Sequence, residues 1–462
     1  MNKYGLLLIS CLLLFTMAAC SSNSDRENVE QPDNGNVKDT PQKTTAETEE
    51  ALAAASNEGR KTIVFSTFYE SDFLKEAVKN YEAKHPNIAI QLTYAHAIGD
   101  DANWEANHEK FVKTTNTQML TGKGPDLLEM DQLPMGQYVN KKMLMNLSEM
   151  MEKDPGFQKE QYFTNILDNV KLDGSVYGIP VRFYLYGLIG DEEAIKKTGI
   201  TFDDNSWTWN QFIQTAKELA QQGGHEYAFF GDAIVLLNEM VNETYGQFVD
   251  PVNRKSNFES EAFTRLMKQV KTMIDEKVVN HQSRSDTFFR MDTITSIRSY
   301  ILAGTQYMEM YNKPKLYSKP KAEGQQAGGF FRTETTIGIH AKSAVQKEAW
   351  DFIKYLISEE TEPGGFPLNK QAYKKQVQQL LQVGSVKADE EGALKGKEFK
   401  VTEAHIQDLE SYLYDAIHAV EYRPSKVEEI ITEESAAFFG GQKSAELVAK
   451  LIQNRVSTYL NE

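Results

Sequence analysis

The chain has 462 residues, too many for one compact core, so two domains are expected; its 40% hydrophobic and 25% charged residues are those of a soluble globular protein. The formal net charge of −16 argues against nucleic acid as a partner and against a polybasic attachment to a membrane surface, since both need clustered basic groups. The two cysteines, Cys11 and Cys20, lie in the first twenty residues and the eight histidines show no metal-ligand spacing, so the body is expected to hold no disulfide, no metal site and no cofactor.

Lys3, an apolar run over 6–17 and Ala18-Ala19-Cys20 make a basic, apolar and small-residue series, the pattern of a signal peptide over 1–19. Met17-Ala18-Ala19-Cys20 resembles a bacterial lipobox, with methionine where leucine is usual. That resemblance implies cleavage before Cys20 and lipidation of its thiol; a plain secretory peptide is the alternative. Residues 20–60 are polar and nearly free of large apolar side chains, which predicts a lipidated, disordered tether. No later stretch approaches eighteen consecutive apolar residues, so no further span is expected.

The folded body opens with a short strand over 62–65, a loop over 68–71 and a helix near 72–84 whose apolar face is Phe73, Leu74, Ala77, Val78 and Tyr81. Ile88, Ile90, Leu92 and Tyr94 then alternate as a strand, giving βαβ and hence a parallel, doubly wound sheet. Residues 98–107 read as a polar insertion containing Trp104. Asp101, Asn103 and Glu105 hint at a calcium loop, but Ala106 and Val112 occupy the positions that need glycine and glutamate. A helix to Leu120 and a strand over 126–131 follow. Glu129 and Asp131 share one face at the C-terminal end of that strand, the edge where open α/β sheets bind ligands; solvated surface acids are the alternative.

Asp173-Gly174 signals a hairpin turn. Beyond Pro180, Val181, Phe183 and Leu185 alternate with Arg182, Tyr184 and Tyr186, so one strand face is apolar and the other carries a guanidinium and two phenols. Thr208 and Gln211 fit a capping box, with Trp207 and Phe212 as its hydrophobic staple. A strand over 227–230 leads to a helix that Asp232 can cap; 258–277 reads as helix, 307–311 as strand, 313–329 as a long loop and 335–339 as strand. The remainder is mostly helical, ending on a face of Leu447, Val448, Leu451, Ile452 and Val456. Nucleotide-binding and GxSxG motifs are missing, and acid spacing neither establishes nor excludes a glycosidase-like dyad.

Eight stretches together resemble the extracellular solute-binding proteins of bacterial ABC importers, in the sugar-binding branch that includes maltose-binding proteins. They are TIVFSTFYESDFLKEAVKNYEAKHPNIAIQL from Thr62, GKGPDLLEMD from Gly122, DGSVYGIPVRFYLYGLIGDEEAIKKTGI from Asp173, SWTWNQFIQTAKEL from Ser206, LAGTQYMEM from Leu302, TTIGIHAKSAVQKEAWDFIKYLISEE from Thr335, GFPLNKQAY from Gly365 and the helix expected over 441–462. Gly190-Asp191 departs from the Tyr-Asn pair usual in that family. The resemblance implies an α/β fold: a two-lobe periplasmic-binding-protein-like clamp, each lobe a mainly parallel sheet flanked by helices, joined by crossover strands near 179–181, 332–336 and 397–408. The N-lobe would be 60–179 plus 336–402 and the C-lobe 180–335 plus 403–462. It further implies a non-enzymatic, lipid-anchored receptor outside the cell membrane that captures a carbohydrate and docks on ABC permease subunits. The expected ligand residues are Tyr69, Glu70, Trp104, Asp131, Arg182, Tyr184, Asp232, Tyr311 and Arg332. A cationic solute such as a polyamine, or a lipid-anchored hydrolase, are the alternatives.

Overall fold

Residues 60–280, 286–306, 311, 313–388, 394–420 and 426–461 are described by the computed structural model. The signal peptide, Cys20, the tether before Arg60 and most of the strand expected over 307–311 fall outside them.

Strand β1 (Lys61–Tyr69) and β2 (Ile88–His96) pair in parallel around the helix Asp72–Lys84. The Ser71 hydroxyl accepts the Leu74 N–H and starts that helix, which buries Leu74, Ala77 and Tyr81. β1 runs four residues past the expected 62–65, because Thr67 and Tyr69 stay in register with Tyr94 and His96. The helix Trp104–Thr121 begins inside the expected polar insertion, and Gly122, at φ 70°, ends it. β3 (Leu127–Glu129) joins β1 in parallel.

β4 (Ile179–Asp191) follows the tight turn at Asp173 and Gly174, both with positive φ, which Leu172 and Ser175 close. Its alternation is the expected one: Val181, Phe183 and Leu185 are buried, and Arg182, Tyr184 and Tyr186 are half-buried. Gly190-Asp191 does not break the strand. A side chain at Gly190 would strike the Phe289 and Tyr317 rings, and Asp191 caps the next helix through the Ala194 N–H.

β5 (Tyr227–Phe230), the hairpin of β6 (Val249–Asp250) with β7 (Lys255–Ser256), β8 (Val279–Asn280), β9 (Thr287–Ile294) and β10 (Pro314–Ser318) come next. β10 replaces part of the expected loop over 313–329: it pairs antiparallel with β4 and buries Leu316 and Tyr317. β11 (Gly329–Ile339) is twice the expected length, because its first half pairs with β4 and its second half reaches β3. β12 (Phe366–Pro367), the hairpin of β13 (Ser385–Lys387) with β14 (Glu398–Lys400), and β15 (Ala416–Ala419) complete the strands.

The main sheet runs β2-β1-β3-β11-β4-β9-β5-β8, with β10 and β12 also on β4 and β15 on β11. Pairing is parallel towards both ends and antiparallel where β4 and β11 run side by side in opposite directions, so the sheet is mixed. One core gathers Phe65, Ile179, Phe183, Phe352 and Leu409; a second gathers Leu188, Trp207, Phe212, Phe289, Ile431 and Ile452; a smaller third surrounds Phe68, Phe111 and Met130. The last helix, Ala445–Asn461, packs Val448, Ala449, Ile452, Val456 and Leu460 inward, while Leu447, expected on that face, is exposed.

Candidate functional site

A cleft of about 1460 Å³ opens where β1, β3 and β11 face the second core. One wall is the helix Trp104–Thr121, which sets Trp104, His108, Val112 and Asn116 along one stripe and Glu105, Glu109, Lys113 and Thr117 along the next. The floor is Glu129, Asp131, Arg332, Thr333, Glu334 and Thr336. Asn242, Tyr245, Val427, Glu429 and Tyr459 line the opposite side.

The aromatic rim is built around the buried Phe68. Its ring meets Tyr69, Trp104, His108 and Phe111, and His96 stacks on it. The Trp104 indole donates to the Tyr69 hydroxyl at 2.8 Å and lies flat on the His108 ring at 4.9 Å. A rim aromatic held by a hydrogen bond and a stack keeps one orientation, which suits it to recognition of a flat apolar face. Burial lowers the His108 pKa, so that ring is biased to its neutral form.

The floor is charged and cross-linked. Glu334 accepts from Arg182 at 2.6 Å and from Arg332 at 3.3 Å, and the Arg332 guanidinium sits over the Tyr184 ring at 5.3 Å. Asp131 accepts the N–H groups of Thr335 at 2.6 Å and Thr336 at 3.3 Å. Thr335 has φ 57°, an outlying conformation for a β-branched residue, and the Asp131 carboxylate holds the strand there. Burial first, then the neighbouring Asp131, pushes the Glu129 carboxyl up to about 8.

Of the nine expected ligand residues, the cleft brings together Tyr69, Trp104, Asp131 and Arg332. Arg182 and Tyr184 lie one layer behind. The turn at Gly364-Gly365, both at positive φ, packs over them, and the Pro363 carbonyl accepts from Arg182. Glu70 pairs with Lys75 and accepts the Ile98 N–H instead of entering the cleft. Asp232 is an exposed helix cap, bonded to the Ile234 N–H at 2.8 Å. Tyr311 is wholly buried with its hydroxyl 3.3 Å from that of Thr287. Sequence reasoning missed His108, Lys113 and Asn116. The signal for His108 and Asn116 was the four-residue spacing from Trp104, and for Lys113 the same spacing from Glu105, both legible once the helix is started at Trp104. Among the described residues, no cluster of His, Cys, Asp and Glu could hold a metal ion, and no helix is long and apolar enough to cross a membrane.

A sequence profile described as bacterial extracellular solute-binding protein matches residues 68–363. A lactose-binding protein from Rhizobium radiobacter is 23% identical over 299 residues, which are 62% of this chain and 67% of that protein. The sugar-binding protein MalE from Xanthomonas citri superposes with a TM-score of 0.58 at 15% identity, over 87% of this chain and 98% of its own. The ABC substrate-binding protein Lmo0181 from Listeria monocytogenes, solved with cycloalternan, gives a TM-score of 0.53 at 15% identity, over 87% of this chain and 99% of its own. These likenesses establish the α/β periplasmic-binding-protein fold.

Proposed function

The chain belongs to the bacterial extracellular solute-binding proteins, non-enzymatic receptors of ABC importers that work on the outer side of the membrane, and from that premise we propose that it captures a carbohydrate, of oligosaccharide size, in the cleft. The observation that carries this reading is the fixed Tyr69–Trp104–His108 rim above a floor of hydrogen-bonding groups. Sugars need both: an aromatic face for their C–H surface, and charged or amide groups for their hydroxyls. The cleft's volume, about 1460 Å³, exceeds what a drug-sized ligand fills, which favours a ligand of several sugar rings.

The clamp reading extends this. A first lobe of 60–179 plus 336–402 and a second of 180–335 plus 403–462 would close on the solute, with β4 and β11 as the crossovers and Thr335 at a bend. Closure is favoured by contacts that both sides make to ligand, and the closed form docks on the permease. Lipidation of Cys20 would keep this receptor at the membrane on a tether of about forty residues.

A thermal-shift screen against mono- and oligosaccharides tests the solute class, because a ligand that binds only the folded state raises the melting temperature. Oligosaccharides are expected to raise it and polyamines are not; the reverse result overturns the carbohydrate reading. In calorimetry with the responding sugar, Trp104→Ala should weaken binding by about tenfold or more, the loss of one buried aromatic face. Tyr184→Ala should change it far less, since Tyr184 lies behind the floor.

A further inference from the structure

Glu129 combines deep burial with a place on the cleft floor. It ends β3, and only 8% of it is exposed. Its Oε2 accepts the Phe68 N–H at 3.2 Å. Among the described residues Glu129 forms no ion pair, and its Oε1 accepts no hydrogen bond yet is not sealed away from the cleft.

The groups that face it are mostly of the wrong sign to hold a carboxylate. Asp131 follows it on the same strand, and Glu334 stands on β11. Among the described residues Arg332 on β11 and Arg182 on β4 are the cations of the floor, and both are engaged by Glu334. From β1 come the Phe68 N–H and the Tyr69 phenol; His96 on β2 lies beyond the Phe68 ring. The helix Trp104–Thr121 contributes Glu105, His108, Glu109 and Lys113 along the wall. Of the two adjacent acids, Asp131 is the one furnished with two backbone N–H donors. A second buried charge beside it, with one N–H and no cation of its own, is costly; a proton removes that cost.

We propose that Glu129 stands in the cleft as a neutral carboxylic acid and donates its O–H, from Oε1, to an acceptor oxygen of the bound solute. The proposal rests on the cleft being the solute site. It makes Glu129 a specificity-determining residue with a defined preference. A protonated acid offers a donor, so it rewards ring, glycosidic or hydroxyl oxygens in the ligand. An ammonium has no acceptor to meet it, so a polyamine gains little at this point. Asp131, Glu334 and Glu129 therefore do not act as three equivalent anions on the floor.

Carboxyl carbon NMR on the full chain tests the protonation directly, with Glu129→Gln as the partner variant, because glutamine keeps a donor and the shape but does not titrate. One glutamate carboxyl should titrate near pH 8 and be missing from the variant. Titration of Glu129 in the ordinary carboxylate range overturns the proposal. Calorimetry with maltotriose as probe tests the donor role. Wild-type affinity should be flat from about pH 6 to 7 and fall by up to about tenfold per unit above pH 8, while Glu129→Gln stays flat. An affinity that rises above pH 8 would mean that Glu129 accepts instead of donating, and would overturn the proposal. If maltotriose and other saccharides fail to bind at every pH while the high-pH carboxyl is present, the carbohydrate reading falls and the protonation of Glu129 stands.

Discussion

Among the described residues two glutamates are buried, and they are buried on different terms. Glu243, at the end of the helix Ala233–Glu243, sits 2.6 Å from the Lys319 ammonium and accepts the Trp209 indole N–H at 2.8 Å. Lys319 also meets Glu239 at 2.8 Å, and no part of the lysine reaches solvent. Burial works against that ammonium, but Glu239 and Glu243 outweigh it and hold its pKa above the ordinary range. Among the described residues Glu129 has one N–H and no cation of its own, and it opens on the cleft. The first arrangement pairs its charges internally, although burial still raises the Glu243 carboxyl, and it does not line the cleft. The second leaves a group whose protonation state is set by its surroundings and whose free oxygen faces the site.

The largest expected effect breaks the satisfied cluster. Lys319→Met leaves the buried Glu243 and the half-buried Glu239 beside each other without their cation, and should cost about 3–5 kcal/mol in denaturant unfolding at neutral pH. A loss under about 1 kcal/mol would mean that the two carboxylates are not held by Lys319.

The opposite sign is expected at the other glutamate. The Glu129 carboxyl is raised from its ordinary 4.5 to about 8 in the folded protein. Its contribution to stability is therefore fully present below pH 4.5 and is lost as pH rises through 8, because folding must take up a proton that the unfolded chain has released. Glu129→Gln removes that penalty. The variant should match wild type near pH 4 and be more stable by about 4 kcal/mol at pH 8. A pH-independent difference would show that the charge is not the cause.

Two smaller effects concern the bend in β11. Asp131→Ala removes the acceptor for the Thr335 and Thr336 N–H groups and should cost about 1–3 kcal/mol, read as a lower denaturant midpoint. Thr335→Gly relieves the positive φ and should stabilise by roughly 0.5–1 kcal/mol, after the greater entropy of glycine in the unfolded chain is subtracted. A destabilised Thr335→Gly would mean that the threonine side chain, not the backbone angle, matters at this position.

Much of the scaffold was legible because it is written locally. The Asp232 cap, the capping box of Thr208 with Gln211 and the turn at Asp173-Gly174 depend on neighbours a few residues away. The two-faced alternation of β4 was equally plain. The site was less so. Trp104 reads as part of a polar insertion, since the residues before it form no apolar stripe; its value comes from Tyr69 and His108, which the fold brings against it. Arg182 and Tyr184 were placed on the correct face of β4, but the turn at Gly364-Gly365 covers them, and nothing near either segment announces that contact.

The sequence by itself determined many of the element types, several helix starts and the membership in a receptor family, because periodicity, capping and motif order are properties of short stretches read in succession. Only the tertiary structure decided which polar groups face the cleft and which are spent inside the protein. That choice turns on pairing across long separations. Lys319 reaches Glu239 and Glu243, Asp131 reaches the backbone of β11, and Glu129 has, among the described residues, the Phe68 N–H alone. The energy of a buried charge depends on those distant partners, and no local pattern records whether they arrive.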